Sequence, residues 1–311
     1  MSKNMKQVMK LDSAETLWFE KELAHVEAKQ FEVKYAPTKA RSLLPVKYIS
    51  PGKTSYEWHQ FDSVGEANRI SDYAKDFKTV NLKGEKFVSG VESYGAAFQY
   101  SIQEIRGARE GGRNLDADKA TVARKVIEQK LDRVAALGDS DASLLGLTTL
   151  TGCNDYDPTA DGAGSAKTFA SKDGTKVLND IINMLEKAPN ATNGAESMQN
   201  RLIFPVAQFN MIKRLGLTSA DPGMTVWKFL KEHYPQIEIM SWARLTGAGA
   251  GATDLAICYE ASEEKLALIM AVDYEQVEPE KRGMAYKVAC HARTGGVVNF
   301  YPKSVTYMDG I

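Results

Sequence analysis

The chain has 311 residues, of which 43% are hydrophobic and 25% charged, and its formal net charge is −1. This composition is typical of a globular protein, and the near-neutral charge argues against a dedicated nucleic-acid-binding protein. No run approaches the roughly 18 apolar residues of a membrane span, and the charged N-terminus lacks the apolar core of a secretory signal. The three cysteines lie far apart without metal-ligand spacing and predict reduced thiols: Cys153, Cys258 and Cys290.

The first 52 residues predict an arm rather than a domain. Asp12 and Glu15 resemble a capping box at the start of a helix, but nothing close in sequence can cover its apolar side chains. We therefore expect three of them to contact another subunit: Trp18, Phe19 and Leu23. Residues 1–53 carry ten basic and six acidic side chains. This surplus either steers subunit association or belongs to a solvated tail.

A long hairpin is predicted after the arm. Polar and aromatic residues alternate over 55–61 as in a half-buried strand, and a second strand is predicted over 85–94. The mostly polar stretch 62–83 between them is longer than loops inside compact domains usually are. Its scattered apolar residues argue against disorder. We expect the hairpin to dock on a neighbouring subunit through four of them: Ile70, Tyr73, Phe77 and Val80.

The clearest helical pattern covers residues 115–137. Acidic residues occupy its first turn, and Gly138 is placed for the C-terminal cap. Its apolar stripe consists of Ala123, Ile127, Leu131 and Val134, widened by Val122 and Val126. Charged residues, Asp132 among them, cover the remaining face. Upstream, the segment 94–106 predicts a strand that runs into a turn.

From residue 175 the pattern alternates between helices and strands. Helices are predicted over 175–187, after Pro205, and after a capping Thr225. Strands are predicted over 201–204, 237–242, 254–259 and 266–272. Two long strands, 284–292 and 295–307, are predicted to be joined by a tight turn at residues 293–296.

Two loops imitate ligand-binding motifs. The glycines of 247–251 resemble a phosphate-binding loop, but this loop leads into a strand and no lysine follows. A soluble α/β enzyme that binds a nucleotide in the Gly247–Gly251 loop is the alternative of a different class. The stretch Asp157–Gly162 resembles the start of a calcium loop, but Thr168 stands where a bidentate glutamate is required. We expect no catalytic residue, no cofactor and no metal site.

Several motifs together resemble tailed-bacteriophage major capsid proteins of the Hong Kong 97-like fold, in a subfamily without a fused scaffolding segment. The motifs are Ala40–Val46, Tyr100–Arg106, Leu115–Ala120 and the helix end at Gly138 and Asp139. The resemblance covers nearly the whole chain and implies an α+β fold. It also implies four parts: an N-terminal arm (1–52), an extended β-hairpin loop (53–93), a peripheral domain with a spine helix (94–160 and 273–311, helix 115–137) and an α/β axial domain (161–272).

The resemblance implies a structural, non-enzymatic protein. Such a subunit self-assembles through hexamers and pentamers into an icosahedral phage head that encloses double-stranded DNA without sequence-specific recognition. The implied location is the virion, after assembly in the host cytoplasm, with no membrane partner. Separate scaffolding, portal and decoration proteins are the further partners that the resemblance allows. An encapsulin-type compartment shell, which shares the fold, stays open as the alternative.

Overall fold

The computed structural model describes residues 35–65, 79–110, 115–218 and 221–311. By its internal contacts the chain divides into two units, Met1–Pro37 and Thr38–Ile311, and the first contributes only residues 35–37 to the described part. The described helices of the second unit are α1 (Ala40–Leu43), α2 (Ile102–Glu110), α3 (Leu115–Leu137), α4 (Gly174–Ala191), α5 (Val206–Arg214) and α6 (Val226–His233). Its described strands are β1 (Val46–Tyr48), β2 (Ser55–Val64), β3 (Asn81–Gly90), β4 (Glu92–Ser101), β5 (Asn154–Tyr156), β6 (Arg201–Phe204), β7 (Gly216–Thr218), β8 (Asp221–Thr225), β9 (Glu238–Ser241), β10 (Leu255–Tyr259), β11 (Leu266–Gln276), β12 (Glu280–Arg282), β13 (Ala285–Asn299) and β14 (Val305–Asp309).

The first sheet is built around the long strand β13. This strand pairs antiparallel with β4 on one side and with β11 and β12 on the other, and β1 pairs parallel with β11. Helix α3 packs across the sheet, with the predicted stripe of Ala123, Ile127, Leu131 and Val134 buried. The bounds of α3 agree with the prediction, and Gly138 adopts a φ of +75° directly after it. The helix prediction is confirmed.

Two predictions about the faces of α3 are wrong. Val122 and Val126 are 54% and 50% exposed, so they do not widen the buried stripe. At 100° per residue they point away from Leu131, toward the side of the helix that the sheet does not cover. Asp132, placed on the solvated face, is 3% exposed because Trp242 and the backbone of α1 cover it.

The second sheet has the strand order β5-β14-β10-β6-β9, and each of its faces packs against a separate apolar core. Every residue of β10 is buried, which agrees with its uninterrupted apolar sequence. Ile257 and Tyr259 belong to the core that α3 also enters. Ala256 and Cys258 point the other way, into a second core formed with helices α4, α5 and α6.

The segment 94–106 is not one strand that runs into a turn. Strand β4 ends at Ser101 and helix α2 begins at the next residue. Ser101 Oγ accepts a hydrogen bond from Glu104 N (3.1 Å), and the Glu104 carboxylate accepts one from Ser101 N (2.9 Å). This reciprocal capping box starts a helix where the strand-like alternation stops.

The predicted tight turn at Arg293–Gly296 is also wrong. Strand β13 runs through these residues without reversing, and Gly295 is an extra residue in its register with β11. Gly296 has a φ of +71°, which glycine adopts without strain. Because β4 and β11 flank the strand, the glycine pair makes a bulge that bends the sheet.

Thr225 caps α6 as predicted, since its Oγ1 accepts a hydrogen bond from Lys228 N at 3.2 Å. We expect Thr225→Ala to lower the free energy of unfolding of the unassembled subunit by about 1 kcal/mol, because one helix N–H group loses its acceptor. Urea denaturation measures this loss. Thr225→Ser, which keeps a hydroxyl acceptor, is the control. An alanine variant with the wild-type urea midpoint contradicts the prediction.

Candidate functional site

Strands β2 and β3 form a separate two-stranded hairpin. Their residues pair one to one, from Ser55 opposite Gly90 at the root to Val64 opposite Asn81. Both strands reach further toward the tip than predicted, and the second ends at Gly90, before β4 begins. The connection between the strands is therefore 65–80 rather than 62–83, and its residues 66–78 lie outside the described part of the chain.

One face of the hairpin, near its root, rests on the body of the subunit. Trp58 stacks on Phe87 of the opposite strand with 5.4 Å between ring centroids, and it meets Phe300 edge-on at 5.8 Å. Tyr56 packs beside Trp58 and also against Phe300. Behind these rings β11 and β13 supply a small apolar cluster of Ala267, Ile269 and Val298. These contacts fix the root of the hairpin.

The opposite side, here called the outer hairpin face, carries four exposed apolar side chains. They are Phe61 (63% exposed), Val80 (68%), Leu82 (66%) and Val88 (56%). Phe61 packs over Gly84, its partner across the strands, where an added Cβ would lie 2.9 Å from the ring. An exposed patch of such side chains is typical of a protein–protein contact surface.

The structure places one of the predicted contact residues on this face. Val80 lies beside Gly65, next to the last described residues of the hairpin. The other predicted contacts lie outside the described residues: Trp18, Phe19, Leu23, Ile70, Tyr73 and Phe77. Sequence reasoning missed Phe61, Leu82 and Val88 as contact residues. The alternation in 55–61 already places Phe61 on the face opposite Trp58, and this signal identifies it.

A buried carboxylate ties α3 to α1 and to the loop after β9. Asp132 Oδ1 accepts hydrogen bonds from the backbone N of Lys39 (2.9 Å) and of Ala40 (3.0 Å). The same oxygen accepts one from Trp242 Nε1 (3.2 Å), and Oδ2 accepts one from Arg244 Nε (2.9 Å). Four donors thus satisfy one buried charge, as a buried carboxylate requires.

The sequence model of the major capsid protein family matches residues 65–311. The chain belongs to this family. Among solved structures, this major capsid protein is similar to the capsid of Myoviridae phage XM1, with a TM-score of 0.80 and 17% identity over 94% of this chain and 98% of that chain. As a major capsid protein, it is a structural component of a capsid.

Two further solved structures share the fold. The capsid of a native GTA particle has a TM-score of 0.66 at 8% identity, over 92% of this chain and 94% of that one. A virus-like particle from Pyrococcus furiosus has a TM-score of 0.53 at 15% identity, over 86% and 90%. No curated protein matches the chain. The predicted α+β fold of the Hong Kong 97-like type is confirmed, and the four domain boundaries stay a prediction.

In this major capsid protein, carboxylates occupy the glycine-rich loop. Gly247 N donates to Asp254 Oδ1 (2.9 Å), and Ala250 N donates to Asp309 Oδ2 (2.8 Å). A bound phosphate needs such N–H groups and would meet two negative charges here. The loop leads into strand β10, as the sequence predicts. Its geometry therefore does not favour the nucleotide-binding alternative.

Lysines neutralise the carboxylates of the calcium-like stretch. Lys167 Nζ lies 2.5 Å from Asp157, while the buried Lys172 Nζ lies 2.5 Å from Asp180 and 3.3 Å from Asp161. The Lys172 ammonium group thus supplies the positive charge between two carboxylates. Within the described ranges, no three His, Cys, Asp or Glu residues group so that they could hold a metal ion. No helix in the same part of the chain is long and apolar enough to cross a membrane.

Proposed function

We propose that this major capsid protein assembles with copies of itself, through hexamers and pentamers, into an icosahedral head that encloses double-stranded DNA. The observation that carries the proposal is the outer hairpin face, where four large apolar side chains are each more than half exposed. In the described part of the chain no third strand pairs with this hairpin. A neighbouring subunit that covers the face removes its apolar surface from water.

The anchored root supports this role. Since aromatic packing fixes the hairpin to the body, the outer face is presented in a defined direction rather than on a loose segment. The proposed contacts between subunits are Trp18, Phe19, Leu23, Ile70, Tyr73, Phe77 and Val80, to which the outer hairpin face adds Phe61, Leu82 and Val88.

The proposed role is that of a structural shell subunit and not of an enzyme. A net charge of −1 suits enclosure of DNA without sequence-specific recognition, because specific readers of DNA carry a strong basic surface. Assembly takes place in the host cytoplasm, with separate scaffolding, portal and decoration proteins as partners. An encapsulin-type compartment is not favoured, because the matching family is that of major capsid proteins.

The mass of the purified protein tests the proposal. We expect capsomers or closed shells rather than a 34.2 kDa monomer, because the outer hairpin face needs a partner. Mass photometry across protein and salt concentrations measures the species, and nuclease-protected DNA in shells from infected cells separates a phage head from a protein-filled compartment. A monodisperse monomer under all conditions contradicts assembly. Shells that hold cargo protein instead of DNA contradict the phage head.

A further inference from the structure

One arginine of β13 holds both roots of the hairpin. Arg293 donates from Nη1 to the carbonyl of Pro51, and from Nη2 to the carbonyls of Lys53 (3.1 Å) and Val91 (3.5 Å). Pro51 and Lys53 precede β2, and Val91 directly follows β3. A single side chain therefore bonds to the chain where it enters the hairpin and where it leaves.

The chemistry of this contact requires an arginine. Its planar guanidinium presents several N–H donors in a fixed fork, which can reach carbonyl groups on two segments at once. In the described part of the chain, the side-chain contacts of Arg293 are these three hydrogen bonds, and its Nε is buried without a hydrogen-bond partner. The hydrogen-bond partners of the side chain are thus the backbone carbonyls of the two roots. A lysine has one compact ammonium group on a flexible stem and cannot reproduce this fork.

The arginine sits at the bulge where β13 bends. Ser89 Oγ, near the end of β3, donates to the carbonyl of Gly295 at 2.9 Å. A Cβ added at Gly295 would lie 3.3 Å from the carbonyl oxygen of Gly90 and 3.2 Å from Ile269. The last residues of the hairpin therefore lie directly against the bulge, beside the Arg293 contacts.

We propose that Arg293 is a positioning residue for shell assembly, which sets the direction in which the hairpin leaves the body. The proposal rests on the proposed function of the outer hairpin face. Ten paired residues make each strand about 33 Å long, so a tilt of about 10° at the root moves the far end by about 6 Å. Side chains touch only within about 4.5 Å, so such a tilt moves the face off its contacts.

Two substitutions test the proposal, Arg293→Ala and Arg293→Lys, with Arg282→Ala as control. Arg282 is exposed on the neighbouring strand β12, and among the described residues its ion-pair partner is the nearby Glu280. Circular dichroism and urea unfolding report the fold, and electron microscopy reports shell diameters. We expect both Arg293 variants to fold. The fraction of their shells that have the wild-type diameter should fall by about tenfold, which corresponds to a contact weakened by about 1.4 kcal/mol. Hydrogen exchange at the hairpin roots should rise in both Arg293 variants and stay unchanged in the control.

The double variant Phe61→Ser/Leu82→Ser separates this proposal from the one on which it rests. Normal assembly of the double variant shows that the outer hairpin face is not a contact and overturns both. Blocked assembly of the double variant, together with uniform wild-type shells from Arg293→Ala and Arg293→Lys, overturns only the role of Arg293. If Arg293→Ala does not fold, Arg293→Lys decides: mixed diameters support the proposal, and uniform wild-type shells overturn it.

Discussion

Replacing residues 63–82 with a short Gly–Ser link is expected to give a folded subunit that builds no shells. None of the described residues in this segment belongs to an apolar core, whereas the aromatic packing of Tyr56, Trp58 and Phe87 at the root is kept. The helical content and the cooperative unfolding of the body should therefore survive. What is lost is the outer end of the hairpin, with Val80 and Leu82.

The loss of assembly should be large because the same contact is repeated between all neighbouring subunits. Full burial of each apolar side chain contributes about 1.5–3 kcal/mol, and the loss recurs at every subunit of a closed ring. Light scattering and electron microscopy measure shell formation, and circular dichroism measures the fold. The matched control, Asp62→Ser/Lys83→Ser, removes two charges from the opposite hairpin face and should still assemble. Normal shells from the shortened chain mean that this stretch has no part in assembly.

Asp132→Ala is expected to lower the free energy of unfolding by about 3–5 kcal/mol, the usual cost of removing one partner from a buried charged network. The carboxylate is 3% exposed and accepts four hydrogen bonds. Its loss leaves the indole N–H of the buried Trp242 and the first amides of α1 without an acceptor. The hydrogen bonds from Lys39 N and Ala40 N, which join the start of α1 to α3 through this side chain, are both lost.

Urea denaturation of the unassembled subunit measures this loss, and Glu128→Ala is its control. Glu128 lies one turn earlier on the same helix and pairs with Arg41, but both side chains are partly exposed, at 23% and 33%. Removal of an exposed ion pair costs at most about 1 kcal/mol. Asp132→Asn keeps one acceptor oxygen but no charge. Its loss in free energy of unfolding should lie between those of Asp132→Ala and Glu128→Ala. A loss below about 1 kcal/mol for Asp132→Ala contradicts the role given to the network.

Features that depend on neighbouring residues could be predicted from the sequence. Three such features are the bounds of α3, the positive φ of Gly138 after it and the Thr225 cap. Each is determined by residues within one or two helical turns, so a short stretch of sequence is enough to predict it. The capping box at Ser101 is equally local, but the alternation in the segment 94–106 predicts a strand and a turn rather than the start of a helix.

Features that depend on distant residues could not be predicted. The four donors to Asp132 lie 92 to 112 positions away, so helical periodicity alone assigns this carboxylate to the solvated face. The glycines 295 and 296 suit a hairpin turn and a bulge equally well, and only the strands on both sides of β13 decide between them. At the candidate site the sequence indicates a hairpin and Val80. The strand register then places Phe61 and Leu82 on the same face, since Phe61 lies opposite Gly84 and Leu82 lies opposite Ser63.

The positions of β13 and β14 near the end of the sequence determine when, during synthesis, the two sheets can be completed. β13 is the middle strand of the first sheet, and β14 lies between β5 and β10 in the second. The first sheet and the hairpin root cannot form before β13 and Phe300 have been synthesised, and the second sheet cannot close before β14, which ends at Asp309. If the proposed assembly uses the anchored hairpin, we therefore expect it to follow synthesis of the chain rather than accompany it. A product that ends before β14 lacks the middle part of the second sheet, and we expect it to be excluded from the shell.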